Sequence, residues 1–347
     1  MKKLLALVLT LVMLCACSAT AFAVNEDVSG TVMIYTSMYQ FVIDMMDEAL
    51  KKEFPNLVPG NDGSFFFYGG TGSLQTKLAG EMETGTLGCD MMLVAEPAYS
   101  LELKEGGWLE PIEVENADTI LRFDYDPEGY WYPVRVCNMV LAYNPELYSA
   151  DELPQSFYDF ANDPDMKGVI SMGNPLTSGT TMAAVAALSD KYGYDYFTAL
   201  GNNDVMIESG STALAKLQTG ECKEIMILEE SVLKIRKEEG SQIAVIYPTD
   251  GNIMIPSTVM TVAEDRSANM NIEACAAITQ WLLTPEAQEL ILQGYMHSVF
   301  ADMTAVPYDS IDTNSLIASD MGVDWERCYQ CRDEIRTEFQ ERVTVTE

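Results

Sequence analysis

Short β-rich runs alternate with helical patterns along most of this sequence, and no other feature restricts the fold as strongly. Residues 31–35 predict a strand that Thr36-Ser37-Met38 stops before an amphipathic helix over 40–54. A second strand over 64–68 runs into Gly69-Gly70-Thr71-Gly72-Ser73 and a helix. A third over 89–94 ends at Ala95-Glu96-Pro97, again followed by a helix. Strand then helix, repeated, argues for α/β architecture: a mostly parallel sheet with helices on both faces. In such folds ligands collect beyond the carboxyl ends of the strands, where Thr36, Ser37, Met38, Thr71, Gly72, Ser73 and Glu96 all fall.

The same chemistry recurs downstream. Pro175-Leu176-Thr177-Ser178-Gly179-Thr180-Thr181 precedes an alanine-rich helical run, and Ser209-Gly210-Ser211-Thr212 precedes another. A helix start presents unpaired N–H groups and the positive end of the macrodipole, so it holds an anion without Lys or Arg. An ordinary capped helix accounts for any one of these loops by itself. Their threefold recurrence nominates Thr177, Ser178, Gly179, Thr180, Ser209, Gly210 and Ser211 as ligand-binding residues.

Lys2 and Lys3, an apolar run over 4–14 and then small residues form the three-part pattern of an export signal over 1–23. Two processing sites compete. Leu14-Cys15-Ala16-Cys17 resembles a lipobox that would lipidate Cys17, and Ala21-Phe22-Ala23 is a small-x-small cleavage site. Both imply an extracytoplasmic protein. Losing 1–23 takes the formal charge from −33 to −35, because the segment holds two lysines and no acids; nucleic acid and anionic membrane surfaces are therefore poor partners. With 48% apolar and 21% charged residues the chain is globular, and its length suggests two lobes. Cys89, Cys137, Cys222 and Cys275 lie in apolar runs and are expected to be buried, while Cys328-x-x-Cys331 reads as incidental or as a local redox pair.

Taken in order, the strand over 31–35 with its Thr-Ser loop, Gly70-Thr71-Gly72-Ser73, Gly107-Trp108-Leu109-Glu110-Pro111, Leu141-Ala142-Tyr143-Asn144-Pro145 and the loop ending at Thr180 resemble a type 2 periplasmic-binding-protein chain. So do Tyr247-Pro248-Thr249-Asp250-Gly251, the run over 281–288 and the tail helix beginning Val323-Asp324-Trp325. The chain resembles the extracellular solute-binding proteins of ABC importers grouped with ferric-iron, phosphorylated-sugar and phosphonate binders. That resemblance implies a two-lobed α/β fold with a ligand cleft, lobe closure, and a membrane permease and ATPase as partners of a monomer. It places lobe one at 24–134 with 253–306, lobe two at 135–252, and a helical tail at 307–347.

Iron binders of the family commonly carry adjacent tyrosines just after the strand that follows a Gly-Glu pair. Here the corresponding positions are Glu230 and Ser231, and the histidine often found after the first strand is missing from Thr36-Ser37-Met38-Tyr39-Gln40. Glu96 stands at a position that the resemblance gives to an iron ligand, so a ferric site stays open beside the reading favoured here, a phosphorylated or phosphonated small molecule. In that reading Glu229 or Glu230 accepts bonds from ligand hydroxyls or an amine, and Arg135 offers a bidentate cation or pairs with a surface acid. A secreted hydrolase using paired carboxylates is the competing class, but 53 acids make any pair uninformative, and the single histidine, His297, near a helix end, is read as structural. No cofactor is expected.

Overall fold

The computed structural model describes residues 25–343; the expected signal segment and Cys17 lie outside them. The chain opens with β1 (Gly30–Val32), β2 (Ile34–Thr36), α1 (Gln40–Glu53), β3 (Leu57–Pro59), β4 (Phe66–Tyr68) and α2 (Thr71–Met82). Next come β5 (Met91–Ala95), α3 (Pro97–Glu105), β6 (Leu109–Glu110), α4 (Ala117–Ile120) and the long β7 (Tyr132–Tyr143). It continues through α5 (Phe157–Asn162), β8 (Ile170–Gly173), α6 (Gly179–Tyr192), α7 (Asp195–Asn202), β9 (Met206–Glu208), α8 (Gly210–Thr219), β10 (Glu224–Leu228) and α9 (Glu229–Glu239). After β11 (Ala244–Ile246) and β12 (Ile253–Val262) the rest is helical: α10 (Ile272–Leu282), α11 (Pro285–Gln293), α12 (Thr313–Ala318), α13 (Trp325–Gln330) and α14 (Arg332–Arg342).

One strand path, β4-β2-β5-β12-β7-β10-β8-β9, carries both lobes. Its outer parts are parallel as expected: β2 lies parallel to β4 and β5, and β8 to β9 and β10. The centre departs from expectation, because β12 is antiparallel to β5 and β7, and β7 is antiparallel to β10. The chain passes from the first lobe to the second along β7 and returns along β12, so the two crossings run in opposite directions. Both strands are buried almost throughout, and their sequences are continuous apolar runs rather than alternating ones, as a strand covered on both faces requires.

The alanine-rich α6 is buried around its circumference from Gly179 to Ser189. A helix apolar all round needs cover on its outer side too. The tail supplies it: Arg327 of α13 donates to Ala186 O at 3.1 Å and Ser189 Oγ at 3.2 Å. The tail pattern over 325–339 reads as one helix in the sequence, but the helix breaks at Cys331 and restarts as α14. At this break Arg332 turns to the first lobe, where it pairs with Glu102 and lies 3.7 Å from Glu96 Oε1. Beyond it Phe339 stacks edge-on against Phe197 of α7 at 5.2 Å between centroids, and the tail thereby touches both lobes. Cys89, Cys137, Cys222, Cys275 and Cys328 are buried free thiols and Cys331 is partly exposed.

Candidate functional site

Three strands, β4 from one parallel set and β8 and β9 from the other, end at helix starts that face one another. β4 leads through Gly69-Gly70 into α2, β8 through the 174–178 loop into α6, and β9 through Ser209 into α8. Two of the hydroxyls serve as caps, as the ordinary reading of these loops requires. Ser178 Oγ accepts from Thr181 N and Ser209 Oγ from Thr212 N, each at 3.2 Å. Capping fixes the first turns and leaves earlier amides outside intrahelical pairing. The loops meet across the cleft: Gly72 N donates to Thr177 O at 3.2 Å, and Tyr39 Oη and Ser231 Oγ lie 3.0 Å apart.

Between the lobes lies a cavity of about 750 Å³. Ser37, Thr71, Thr177, Ser178, Gly179, Thr180, Ser209, Gly210, Ser211 and Glu230 line it. The other sequence candidates stand elsewhere. Thr36 is buried, with its hydroxyl on Leu93 O at 2.9 Å, and Met38 belongs to the core. Gly72 is spent on the interlobe bond, and Ser73, the third residue of α2, is not part of the lining. Glu96 is buried behind the cleft because its backbone, at φ 73°, turns it back toward Arg332. Burial pushes its carboxyl up to about 7 against the pull of that guanidinium.

Glu229 is also displaced from the cavity. It sits behind it, where Asn138 Nδ2 (3.0 Å), His297 Nε2 (3.1 Å), Tyr247 Oη (2.6 Å) and Ser310 Oγ (2.5 Å) surround its carboxylate. Burial raises its pKa, but these partners outweigh burial and hold it below the usual carboxylate range. His297 itself pairs through its backbone with Val136 of β7 and through Nδ1 with Thr313, so the only histidine fastens the tail to the crossing strands.

At the cavity floor, β7 presents Arg135, Cys137 and Met139, alternate residues on one face. Arg135 is 3% exposed and points Nη1 at Met296 Sδ, while its Nε lacks a partner. Glu230 is 2% exposed and its Oε1 lacks one as well. Burial pushes Glu230 up, with Cys137 and Arg135 pulling the other way. No salt bridge within 4 Å joins the two among the described residues. Two buried side chains of opposite formal charge thus bring unpartnered atoms to one cavity. Tyr39 and the apolar wall formed with Met139, Leu214 and Met226 were not among the sequence candidates, and Ser231 stood there only as the position of a missing tyrosine; for Met139 the period-2 continuation of Arg135 along β7 was the available signal. Among the described residues no group of three His, Cys, Asp or Glu is arranged to hold a metal ion, and no helix is long and apolar enough to cross a membrane.

Residues 90–317 match the family model described as bacterial extracellular solute-binding protein. No curated protein matches the chain. Among solved structures, iron-bound HitA from Pseudomonas aeruginosa superposes with a TM-score of 0.76 at 19% identity, over 89% of this chain and 99% of that one. AfuA from Actinobacillus pleuropneumoniae, with fructose-6-phosphate bound, gives 0.75 at 20% identity over 91% and 99%. The ferric binding protein from Campylobacter jejuni gives 0.72 at 14% identity over 90% and 99%. These likenesses show the fold, a two-lobed type 2 periplasmic-binding-protein architecture.

Proposed function

Because the chain belongs to the bacterial extracellular solute-binding proteins, we propose that it is the ligand-capturing subunit of an ABC importer, presenting its cargo to a permease driven by an ATPase. Its ligand is a small organic anion, with phosphorylated sugars and organophosphonates as first candidates, and capture closes the lobes around it. Lobe one is 24–134 with 253–306 and lobe two 135–252, limits that fall near the starts of β7 and β12. The protein works as a monomer outside the cytoplasm, with lipidation at Cys17 as one mode of retention, and it binds without turnover.

The observation that carries this reading is the convergence of the α2, α6 and α8 starts on one cavity beside a buried, incompletely partnered arginine. Helix-start amides and a guanidinium both complement phosphate oxygens, and in a water-poor cleft they do so despite an acidic surface. Ferric iron, which HitA carries, is the second reading. Tyr39 and Glu230 supply the oxygen donors for it, but burial raises both above their ordinary pKa values and disfavours the ionised forms a hard cation needs.

A thermal-shift screen of the mature protein against hexose phosphates, aminoethylphosphonate, inorganic phosphate and ferric citrate tests this. Ligand at 100 times its Kd adds about 2.7 kcal/mol. A chelator-insensitive shift with a phosphorylated or phosphonated compound is the expected result. A shift confined to ferric citrate and abolished by chelator replaces it with the iron reading.

A further inference from the structure

We infer that the cleft selects an anion with an apolar body over a polyhydroxylated one. This rests on the anion reading above and narrows it. The cavity walls beyond the helix starts are largely hydrocarbon: Phe41, Met139, Leu214, Met226, Ile227 and Ile235. All but Phe41 are buried, so the ligand meets packed side chains rather than a wet surface.

Many of the polar side chains that share this lining already hold a partner within the protein. Gln40 Nε2 donates to Asp44 at 2.8 Å, and Asn174 Oδ1 accepts from Leu176 N at 2.9 Å. Lys216 holds Glu208 at 2.6 Å, Glu238 holds Lys234 at 2.7 Å, and Tyr39 and Ser231 hold each other. Ser178 bonds Thr180, and Ser209 bonds Ser211. Among the fully buried side-chain atoms of this lining, Arg135 Nε and Glu230 Oε1 are the ones without a partner.

A hexose phosphate brings several hydroxyls that lose water on entry, and each needs a partner or weakens binding. On the hydrocarbon side of the cavity they find none. An apolar body of the same size loses nothing polar and gains contact with the hydrocarbon wall. A volume of about 750 Å³ also lies in the range of pockets that enclose organic ligands of moderate size.

Calorimetric titration of the mature protein with methyl-, butyl-, hexyl- and phenylphosphonate and with glucose 6-phosphate tests the inference. Affinity is expected to climb by roughly 3- to 4-fold per buried methylene, with hexylphosphonate tighter than glucose 6-phosphate. Leu214→Ser, at the rim of α8, lowers hexylphosphonate affinity more than methylphosphonate affinity; Met139→Thr gives the same readout should the first variant fold poorly. A flat alkyl series with the sugar phosphate tightest overturns the inference and leaves the anion reading standing. Failure of every phosphonate and phosphate, with ferric citrate binding, removes the anion reading itself.

Discussion

A methyl group added to Gly179 would stand 2.8 Å from Thr71 Cγ2. The first residue of α6 and the first residue of α2 thus approach across the cleft as closely as a hydrogen on Cα permits. Gly72 repeats the relationship in reverse, since a Cβ there would lie 2.9 Å from Thr177 O. Both contacts join residues of opposite lobes, so a movement that parts the lobes at the cleft would break them. Gly179→Ala is therefore expected to leave the unliganded fold intact while opposing closure by about 1–3 kcal/mol, the cost of overpacking. Small-angle scattering should show the variant failing to compact with ligand while its ligand-free melting temperature stays near wild type; full compaction would sink the idea.

Ser178→Ala with Thr180→Ala separates capping from binding. Loss of the Ser178 cap costs about 1 kcal/mol of stability, seen without ligand. Binding should weaken by a few kcal/mol more, at about 1.5–3 for each hydrogen bond to a charged group. Unchanged affinity by calorimetry in a folded variant would move the anion site elsewhere.

Glu230→Gln keeps the shape of the floor and removes its titration. Across a panel sharing one phosphate or phosphonate group, affinities should redistribute according to the substituent that reaches Glu230. An equal change for every member would reject a discriminating role. Glu229→Gln is expected to act differently, because its carboxylate holds the His297 network behind the cavity. It should lower the melting temperature without changing the order of ligand preference.

Two buried acids make stability depend on pH. Burial drives Glu224, whose oxygens both lack partners, up to about 9, and Glu96 up to about 7. Each folded-state pKa lies above the unfolded value near 4.3, so the folded chain keeps protons the unfolded chain has lost. Stability is then greatest below the unfolded value and falls as pH rises through about 7 for Glu96 and about 9 for Glu224. Melting temperatures from pH 5 to 9 should fall for the wild type, and Glu224→Gln should flatten the upper half of that profile. A wild-type profile that rises across this window contradicts the assignment.

Arg332→Met removes the cation between Glu96 and Glu102. Breaking a buried pair from one side costs roughly 3–5 kcal/mol, reduced here because Glu96 can neutralise by taking up a proton. Adding Glu96→Gln should recover part of the loss, as a double-mutant cycle in thermal unfolding would show. Additive losses would mean that the two side chains do not interact.

How far the sequence reached can be traced through particular residues. The three helix starts were legible because Gly, Ser and Thr before an apolar run are local signals, and these loops do line one cavity. Thr36, Glu96 and Glu229 misled for one shared reason: each stands beside a strand end, yet a side chain's direction there depends on one backbone torsion or on distant partners. Glu96 turns away at a positive φ, and Glu229 is claimed by His297, Ser310 and Tyr247, residues 18 to 81 positions further along the chain. The antiparallel centre of the sheet was invisible for a similar reason. β7 and β12 read as two more apolar strands, and only their pairing shows that they cross between lobes. Apolar cavity walls are the least legible part, because Met226 and Leu214 look like any core residue until the surface they leave uncovered is known.

The break at Cys331 sets Arg327 on the second lobe and Arg332 on the first. These anchors lie five residues apart, so the spacing between Ala186 and Glu102 along the molecule's back is tied to a short, folded span of chain. If the lobes part at the mouth, this short rear tie is expected to hold their back edges together as the spring of a clothes-peg does, with the travel concentrated at the tips where Gly179 and Thr71 meet.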